Sequence, residues 1–172
     1  MTQSPATRPE TPPAETPPAE TPPETPMRRA IRLAEAAAAL GEVPVGAVVV
    51  DGHGHDPRVV AEAHNRVEVD ADPCAHAELL AIRAACRARG HKWLEGCDLY
   101  VTLEPCAMCA AALALARVRR VYFGAYDPKG GGVEHGARVF DQPQCNWRPE
   151  VIGGLEETAC AALLEDFFRA RR

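Results

Sequence analysis

The amino-acid sequence predicts a layered α/β sandwich built on a mixed β-sheet. The chain has 172 residues, of which 47% are hydrophobic, and this suits one globular domain with a substantial core. From residue 27 onward, short apolar runs alternate with longer alanine-rich or amphipathic segments, as strands alternate with helices. The first two strand-like runs flank a turn and form a hairpin, so the sheet must contain antiparallel as well as parallel strands.

A helix and the hairpin open the domain. Residues 28–40 are rich in alanine with apolar residues at helical spacing, and Gly41 ends this helix. Residues 45–50 form a short apolar strand. Residues 51–57, with the sequence DGHGHDP, form a turn, and residues 59–63 form the returning strand.

Two strand-to-helix steps follow the hairpin. The second helix follows the proline before residue 74, runs over residues 74–89 and ends at Gly90. Residues 99–103 form an apolar strand that leads into a helix over residues 106–116, and residues 118–124 form the next strand. This alternation is the basis for the predicted layered architecture.

The C-terminal part is irregular before it closes on a helix. Residues 127–144 are glycine-rich and irregular, residues 151–152 form a brief strand, and residues 155–169 form an amphipathic helix. The residues predicted to face inward on this helix are Leu163, Leu164, Phe167 and Phe168.

Residues 1–26 differ in composition from the rest of the chain. They contain nine prolines and the repeat TPPAE, a composition that cannot bury a core. We therefore expect an extended, solvated tail and a folded domain over residues 27–172 that begins at Met27.

Charge and cysteine content exclude several classes of protein. The net charge is −5, and Arg8 against four glutamates in residues 1–26 leaves only −2 for the domain, which argues against a protein that coats DNA. No apolar run reaches the ~18 residues of a membrane span, and no apolar signal core is present, so we expect a cytoplasmic protein. Seven cysteines without regular spacing argue against a disulfide framework and leave metal binding or catalysis.

Two short motifs carry the chemistry, and each lies where a strand gives way to a helix. The first is H-x-E, with His76 and Glu78, and the second is P-C-x-x-C, with Cys106 and Cys109. One imidazole and two thiolates provide three zinc ligands and leave a fourth position for water, as in catalytic rather than structural sites. Either motif alone also occurs among ordinary core or surface residues, but together they are the signature of zinc-dependent deaminases.

The spacing of these residues predicts their arrangement. Cys106 and Cys109 share one helix face and lie in the first turn, where the positive end of the helix favours thiolates. His76 and Glu78 are two apart and would diverge on a regular helix, so we place His76 in the first turn and the zinc ion between two helix N-termini. Glu78 then stays unligated beside the metal and is the catalytic residue that takes and returns a proton.

Residues 27–172 resemble the bacterial tRNA-specific adenosine deaminases, members of the cytidine deaminase-like superfamily. The segments that carry the resemblance are EVPVGAV at 42–48, NR at 65–66, DPCAHAE at 72–78, YVTLEPCAMC at 100–109, RRVYFGAYDPK at 119–129 and LLEDFFR at 163–169. The resemblance covers the whole domain and excludes only the tail.

This resemblance implies a three-layer α/β/α sandwich with a five-stranded mixed sheet, and a homodimer with one Zn2+ ion per subunit. It implies hydrolytic deamination of adenosine to inosine at the wobble position of a tRNA anticodon, usually that of the arginine tRNA with anticodon ACG. The implied site residues are the metal ligands His76, Cys106 and Cys109, the proton shuttle Glu78, the base-binding Asn65, and Asp127 and Lys129 on a loop that contacts the anticodon ribose and phosphates.

Binding of tRNA would require a basic surface despite the net acidity. The arginines that would form a phosphate-binding face are Arg28, Arg29, Arg32, Arg117, Arg119, Arg120, Arg169, Arg171 and Arg172. The alternative is that these are ordinary solvating charges.

Three functional hypotheses remain open. The first is deamination of the tRNA wobble adenosine, and the second is deamination of a free base or nucleoside such as guanine or cytosine by the same chemistry. The third is a structural zinc module that binds RNA without turnover. Glu78 argues against the third, because a structural site has four protein ligands and needs no poised carboxylate.

Overall fold

A five-stranded mixed sheet lies at the centre of the computed structural model, which describes residues 24–52 and 58–171. The helices and strands are α1 (Pro26–Ala39), β1 (Gly46–Asp51), β2 (Arg58–His64), α2 (Ala77–Arg89), β3 (Cys97–Leu103), α3 (Ala107–Leu115), β4 (Arg120–Ala125), β5 (Glu150–Ile152) and α4 (Glu157–Arg169). The predicted tail up to residue 23 and residues 53–57 of the predicted turn lie outside the described residues. In the described parts of the chain, no helix has both the length and the apolar character needed to cross a bilayer.

The sheet has the order β2-β1-β3-β4-β5. Strand β1 is antiparallel to both β2 and β3, whereas β3, β4 and β5 are mutually parallel. The prediction of a mixed, five-stranded sheet is confirmed, and the N-terminal hairpin is the reason that the sheet is mixed.

Helices cover both faces of the sheet. Ala47 and Val49 of β1 belong to the core formed with α2 and α3. Val48 and Val50 point the other way and belong to the core formed with α1 and α4, because side chains alternate along a strand. The architecture is therefore the predicted three-layer α/β/α sandwich.

The first helix begins within the proline-rich segment. The Oγ1 atom of Thr25 accepts a hydrogen bond of 3.2 Å from the backbone N–H of Arg28, and so caps α1. Pro26 is the first helical residue, a position at which the absent N–H would have no partner in the helix. Helix α1 thus starts one residue before Met27, the predicted start of the domain.

The prediction that Phe168 faces inward is wrong. Phe167 is 8% exposed and Phe168 is 48% exposed. Successive residues of an α-helix are about 100° apart around its axis, so burial of Phe167 turns its neighbour outward. Leu163 and Leu164 are partly buried, as predicted.

The topology brings the starts of two helices to one edge of the sheet. Strand β2 is antiparallel to β1, and β1 is antiparallel to β3, so β2 and β3 run in the same direction. Their C-terminal ends therefore lie at the same edge, and the helices that follow them, α2 and α3, both begin there. This is the edge at which α/β proteins place their sites.

Replacement of Gly46 by alanine is expected to destabilise the fold by at least about 2 kcal/mol, because α1 crosses β1 at this glycine. An added Cβ atom would overlap the carbonyl oxygen of Ala30 and lie 2.8 Å from the Cβ atom of Leu33. Gly90→Ala is the matched control: Gly90 has φ +62° and nothing within 4 Å of an added Cβ. It should cost only about 1 kcal/mol of backbone strain. Urea denaturation measures both, and equal destabilisation would contradict the close packing of α1 on β1.

Candidate metal centre and catalytic cleft

His76, Cys106 and Cys109 meet between the N-termini of α2 and α3. The Nδ1 atom of His76 lies 3.7 Å from the Sγ atom of Cys106 and 3.6 Å from that of Cys109. The three potential ligand atoms all lie within 4.8 Å of one another. The structure thus brings together the three residues predicted as metal ligands, although their motifs are about 30 residues apart.

Two of the three residues lie just before their helices rather than in the first turn. His76 is the N-cap of α2 and has an extended backbone, with φ −69° and ψ 146°. Cys106 is likewise the N-cap of α3, whereas Cys109 lies in its first turn. Because the cap residue does not follow helical geometry, His76 and Glu78 both line one cleft although they are two residues apart.

The donor set fits a zinc ion. Tetrahedral zinc with Zn–S of about 2.3 Å and Zn–N of about 2.0 Å places nitrogen and sulfur ligands about 3.5 Å from each other. The observed nitrogen–sulfur distances are 3.6 and 3.7 Å. Three protein ligands leave a fourth position for a reactant, as in catalytic zinc sites. Within residues 24–52 and 58–171, no other group of three His, Cys, Asp or Glu side chains is close enough to hold a metal.

The thiols of Cys106 and Cys109 are shifted in pKa in opposite directions. A hydrogen bond from the Cys109 thiol lowers the pKa of Cys106 to about 4, although burial acts in the opposite direction. The same hydrogen bond and burial raise the pKa of Cys109. The hydrogen bond with Cys106 also raises the pKa of His76. A cation among the three groups would favour loss of the Cys109 proton, because metals bind thiolates.

Glu78 has the surroundings of an acid–base catalyst rather than of a surface carboxylate. It lies in the first turn of α2, is 4% exposed and lines the cleft beside His76 and Cys106. Burial raises the pKa of Glu78 to about 7. A carboxyl group with such a pKa both accepts and donates protons at neutral pH.

The cleft in front of these groups has a volume of about 670 Å³. Asn65 lines it and is 6% exposed. The Nδ2 atom of Asn65 donates a hydrogen bond of 3.1 Å to the Oε2 atom of Glu42. Since a carboxylate oxygen accepts, this contact fixes the orientation of the Asn65 amide. No other hydrogen bond of this amide is seen within residues 24–52 and 58–171, so its oxygen and second hydrogen could serve a ligand.

The loop after β4 forms another wall of the cleft. Asp127 lines the cleft, and its Oδ1 atom accepts hydrogen bonds from the backbone N–H groups of Lys129 (3.1 Å) and Gly130 (2.9 Å). Lys129 is exposed and is not part of the lining. The structure thus places Asn65 and Asp127 in the cleft with Glu78, and leaves the Lys129 side chain on the surface outside it.

Two buried carboxylates beside the cleft were not predicted as functional residues. Glu42 is 0% exposed and Glu104 is 2% exposed. Burial tends to raise the pKa of Glu104, but hydrogen bonds from the backbone and imidazole of His135 hold it below its ordinary value. The sequence did contain an indication of them: Glu42 in EVPV and Glu104 in TLEP each stand next to apolar residues. An acidic residue buried among such neighbours requires hydrogen-bond partners.

The arginines predicted to bind phosphates are mostly paired with acidic residues. The ion pairs are Arg28–Glu156, Arg29–Glu62, Arg32–Glu24, Arg117–Glu95, Arg119–Asp98, Arg120–Glu150 and Arg169–Asp166. Arg171 lines the cleft, donates a hydrogen bond of 3.1 Å to the carbonyl of Gly41 and lies 3.5 Å from the ring centroid of Phe167. Arg172 lies outside the described residues. Exposed ion pairs of this kind are weak, and the shared phosphate-binding face stays a prediction.

Comparison with known proteins agrees with the geometry of the site. Residues 21–125 match the family described as the cytidine and deoxycytidylate deaminase zinc-binding region. The chain is 51% identical to the tRNA-specific adenosine deaminase of Agrobacterium fabrum over 146 residues, which cover 85% of this chain and 93% of that protein. It is 46% identical to the tRNA-specific adenosine deaminase of Bacillus subtilis over 147 residues, 85% of this chain and 88% of that protein.

Two solved structures of deaminases have a fold similar to that of this chain. A structure from a study of A-to-I editing by tRNA:A34 deaminases at the wobble position of transfer RNA has a TM-score of 0.76 and 50% identity, and the match covers 81% of this chain and 98% of that one. The guanine deaminase of Nitrosomonas europaea has a TM-score of 0.67 and 26% identity, over 84% of each chain. The chain therefore belongs to the zinc-binding cytidine and deoxycytidylate deaminase family and, within it, to the tRNA-specific adenosine deaminases.

Proposed function

We propose that this protein catalyses the hydrolytic deamination of adenosine to inosine at the wobble position of tRNA, with the arginine tRNA of anticodon ACG as its substrate. The observation that carries the proposal is that His76, Cys106 and Cys109 meet in one cleft with a buried Glu78. Family membership supports the reaction class, and 51% identity to a tRNA-specific adenosine deaminase supports the substrate.

The residues of the cleft divide the chemistry among them. His76, Cys106 and Cys109 would hold one zinc ion per subunit, and a bound zinc ion supplies Lewis-acid activation of a water molecule. Glu78 accepts the proton that this water loses on attack at C6 of the purine, and delivers it to N1. Glu78 then moves the proton of the added hydroxyl group to the amine nitrogen. Adenosine and water thus become inosine and ammonia.

The remaining predicted residues bind the substrate. Asn65 offers a donor and an acceptor to the edge of the base, in an orientation fixed by Glu42. Asp127 lies on the cleft wall, where it contacts the ribose of the target nucleotide. The exposed side chain of Lys129 reaches a phosphate of the anticodon loop outside the cleft.

An anticodon base is a suitable substrate for this protein. A base in a loop is already unpaired, so its extrusion into a cleft costs little. Few phosphate contacts are then required, in keeping with a net charge of −5 and paired arginines. The alternative is deamination of a free base such as guanine. It is supported by the similar fold of a guanine deaminase, but at 26% identity against 50% for the tRNA:A34 deaminase.

Incubation of the zinc-loaded protein with four separate substrates tests the proposal. These are an arginine tRNA transcript with anticodon ACG, guanine, cytosine and adenosine. We expect inosine at the wobble position of the tRNA, detected by sequencing, and ammonia only in that reaction. A transcript with anticodon GCG is the control and should remain unmodified. Deamination of guanine or cytosine without reaction of the tRNA would favour the alternative.

Metal binding and proton transfer are expected to separate in two variants. Cys106→Ala should lose both zinc and activity, because it removes one of three ligands. Glu78→Ala should retain zinc while kcat falls by at least about 100-fold, because only the proton shuttle is lost. Cys74→Ser is the matched control, since Cys74 is a free thiol outside the ligand group. Zinc content and kcat are measured for each variant. Zinc retained by Cys106→Ala, or a fall in kcat of less than about 100-fold in Glu78→Ala, would contradict these roles.

The outer surface of α3 supports a homodimer. Leu115 is 79% exposed and lies beside Ala111 and Ala114. With Trp93 and Trp147 these residues line a second cleft, of about 690 Å³. An exposed apolar surface of this kind marks an interaction site, and a second copy of the chain is the partner that the family resemblance implies.

Leu115→Arg is therefore expected to weaken self-association by about 100-fold or more, because it places a charge in an apolar contact. Leu40→Arg is the control: Leu40 is also exposed, at 55%, but lies at the end of α1. Sedimentation equilibrium of both variants and of the unmodified protein measures the effect. A monomeric unmodified protein, or equal effects of the two variants, would contradict this interface.

A further inference from the structure

We propose that Glu104 is a positioning residue that ties the cleft loop, residues 127–135, to the start of α3. The loop carries Asp127 on the cleft wall, and the start of α3 carries Cys106 and Cys109, the two sulfur ligands of the candidate metal centre. The functional part of this inference rests on the proposed function, because the contact of the loop with RNA belongs to that proposal. The structural part, the tether itself, stands on its own contacts.

The two ends of the cleft loop converge on one carboxylate. The Oε1 atom of Glu104 accepts hydrogen bonds from the backbone N–H groups of Val133 (3.3 Å), Glu134 (2.8 Å) and His135 (2.9 Å). Its Oε2 atom accepts from the backbone N–H of Asp127 (3.1 Å) and from the Nδ1 atom of His135 (2.7 Å). The side chain of Glu104 is therefore the point at which the start and the end of the loop are joined.

The backbone of the loop also lies directly against the start of α3. The N–H of Gly132 donates a hydrogen bond of 2.8 Å to the carbonyl of Pro105. A Cβ atom added to Gly132 would overlap the backbone of Ala107, and one added to Gly131 would lie 2.6 Å from the Glu104 carboxyl group. The middle of the loop is thus held against α3 by its own backbone, whereas its two ends are held by Glu104.

A consequence for substrate binding follows from this geometry. Asp127 and Gly130 line the cleft, and both belong to the segment that Glu104 holds. Glu104 lines the cleft but is not one of the three candidate metal ligands, so loss of the tether should disturb substrate binding more than chemistry. A purely structural carboxylate would instead lower stability without a selective effect on binding.

The variant Glu104→Gln tests this inference, because it keeps the size of the side chain while its amide nitrogen cannot accept from the backbone donors. We expect amide hydrogen exchange in residues 127–135 to become at least about tenfold faster. We expect KM for the tRNA to rise about tenfold while kcat changes by less than about threefold, with zinc content unchanged.

Two further variants make the result specific. Asp98→Asn is the matched control: Asp98, in β3, is another buried carboxylate, but it pairs with Arg119 through contacts of 2.7 and 2.8 Å. It should lower stability without a change in loop exchange. His135→Ala removes one of the five donors and should accelerate loop exchange by less than Glu104→Gln, which also provides a test if the latter does not fold.

The outcomes separate this inference from the proposed function. Unchanged loop exchange in both the Glu104 and His135 variants would overturn the tether, as would equal acceleration in Asp98→Asn. A fall in kcat at constant KM, or loss of zinc, in Glu104→Gln would overturn the positioning role. If the unmodified protein does not deaminate tRNA, the proposed function fails, but the exchange measurement still decides whether Glu104 holds the loop.

Discussion

The site depends on the meeting of two helix N-termini at one edge of the sheet. Strands β2 and β3 end at that edge because β1 lies antiparallel between them. The following helices then bring the cap residues His76 and Cys106 to within 3.7 Å of each other. Each helix also contributes the positive end of its dipole, which favours thiolates and offsets the cost of partial burial. A metal site of this kind requires the sheet topology as well as the ligands.

Three buried glutamates at the cleft have different numbers of hydrogen-bond donors, and the chemical behaviour of each carboxyl group follows from its donors. Glu104 has five donors, and they hold its pKa below the ordinary value despite burial. Glu42 accepts from the amide of Asn65 and from the backbone N–H of Val69, and links Asn65 to the loop after β2. Burial dominates for Glu78 and raises its pKa to about 7. The same side chain thus stays ionised where donors are abundant and titrates near neutral pH where burial prevails.

Hydrophobic periodicity and motif spacing predicted the features that depend on residues close together in the sequence. The order of strands and helices, the hairpin and the three converging side chains could all be predicted, because each depends on neighbours in sequence or on metal-ligand chemistry. Partnerships between distant residues could not. The pairing of Arg119 with Asp98, and the five donors of Glu104, arise only when separate elements pack. The inward prediction for Phe168 failed for a related reason, since an apolar residue type does not specify which of two adjacent positions faces the core.

The walls of the cleft explain how an acidic protein would select a base in RNA. The lining combines apolar side chains with polar ones. The apolar side chains include Val43, Val45, Leu103 and Phe167, and the polar ones include Asn65, His76, Glu78, Asp127 and Arg171. Such a surface suits a flat purine whose polar edge faces inward. Arg171 adds a cation at the cleft and stacks on Phe167, whereas Arg28 and Arg120 are paired with neighbouring acids. Selection would then rest on the shape and edge of one unpaired base, with only a small contribution from phosphate contacts.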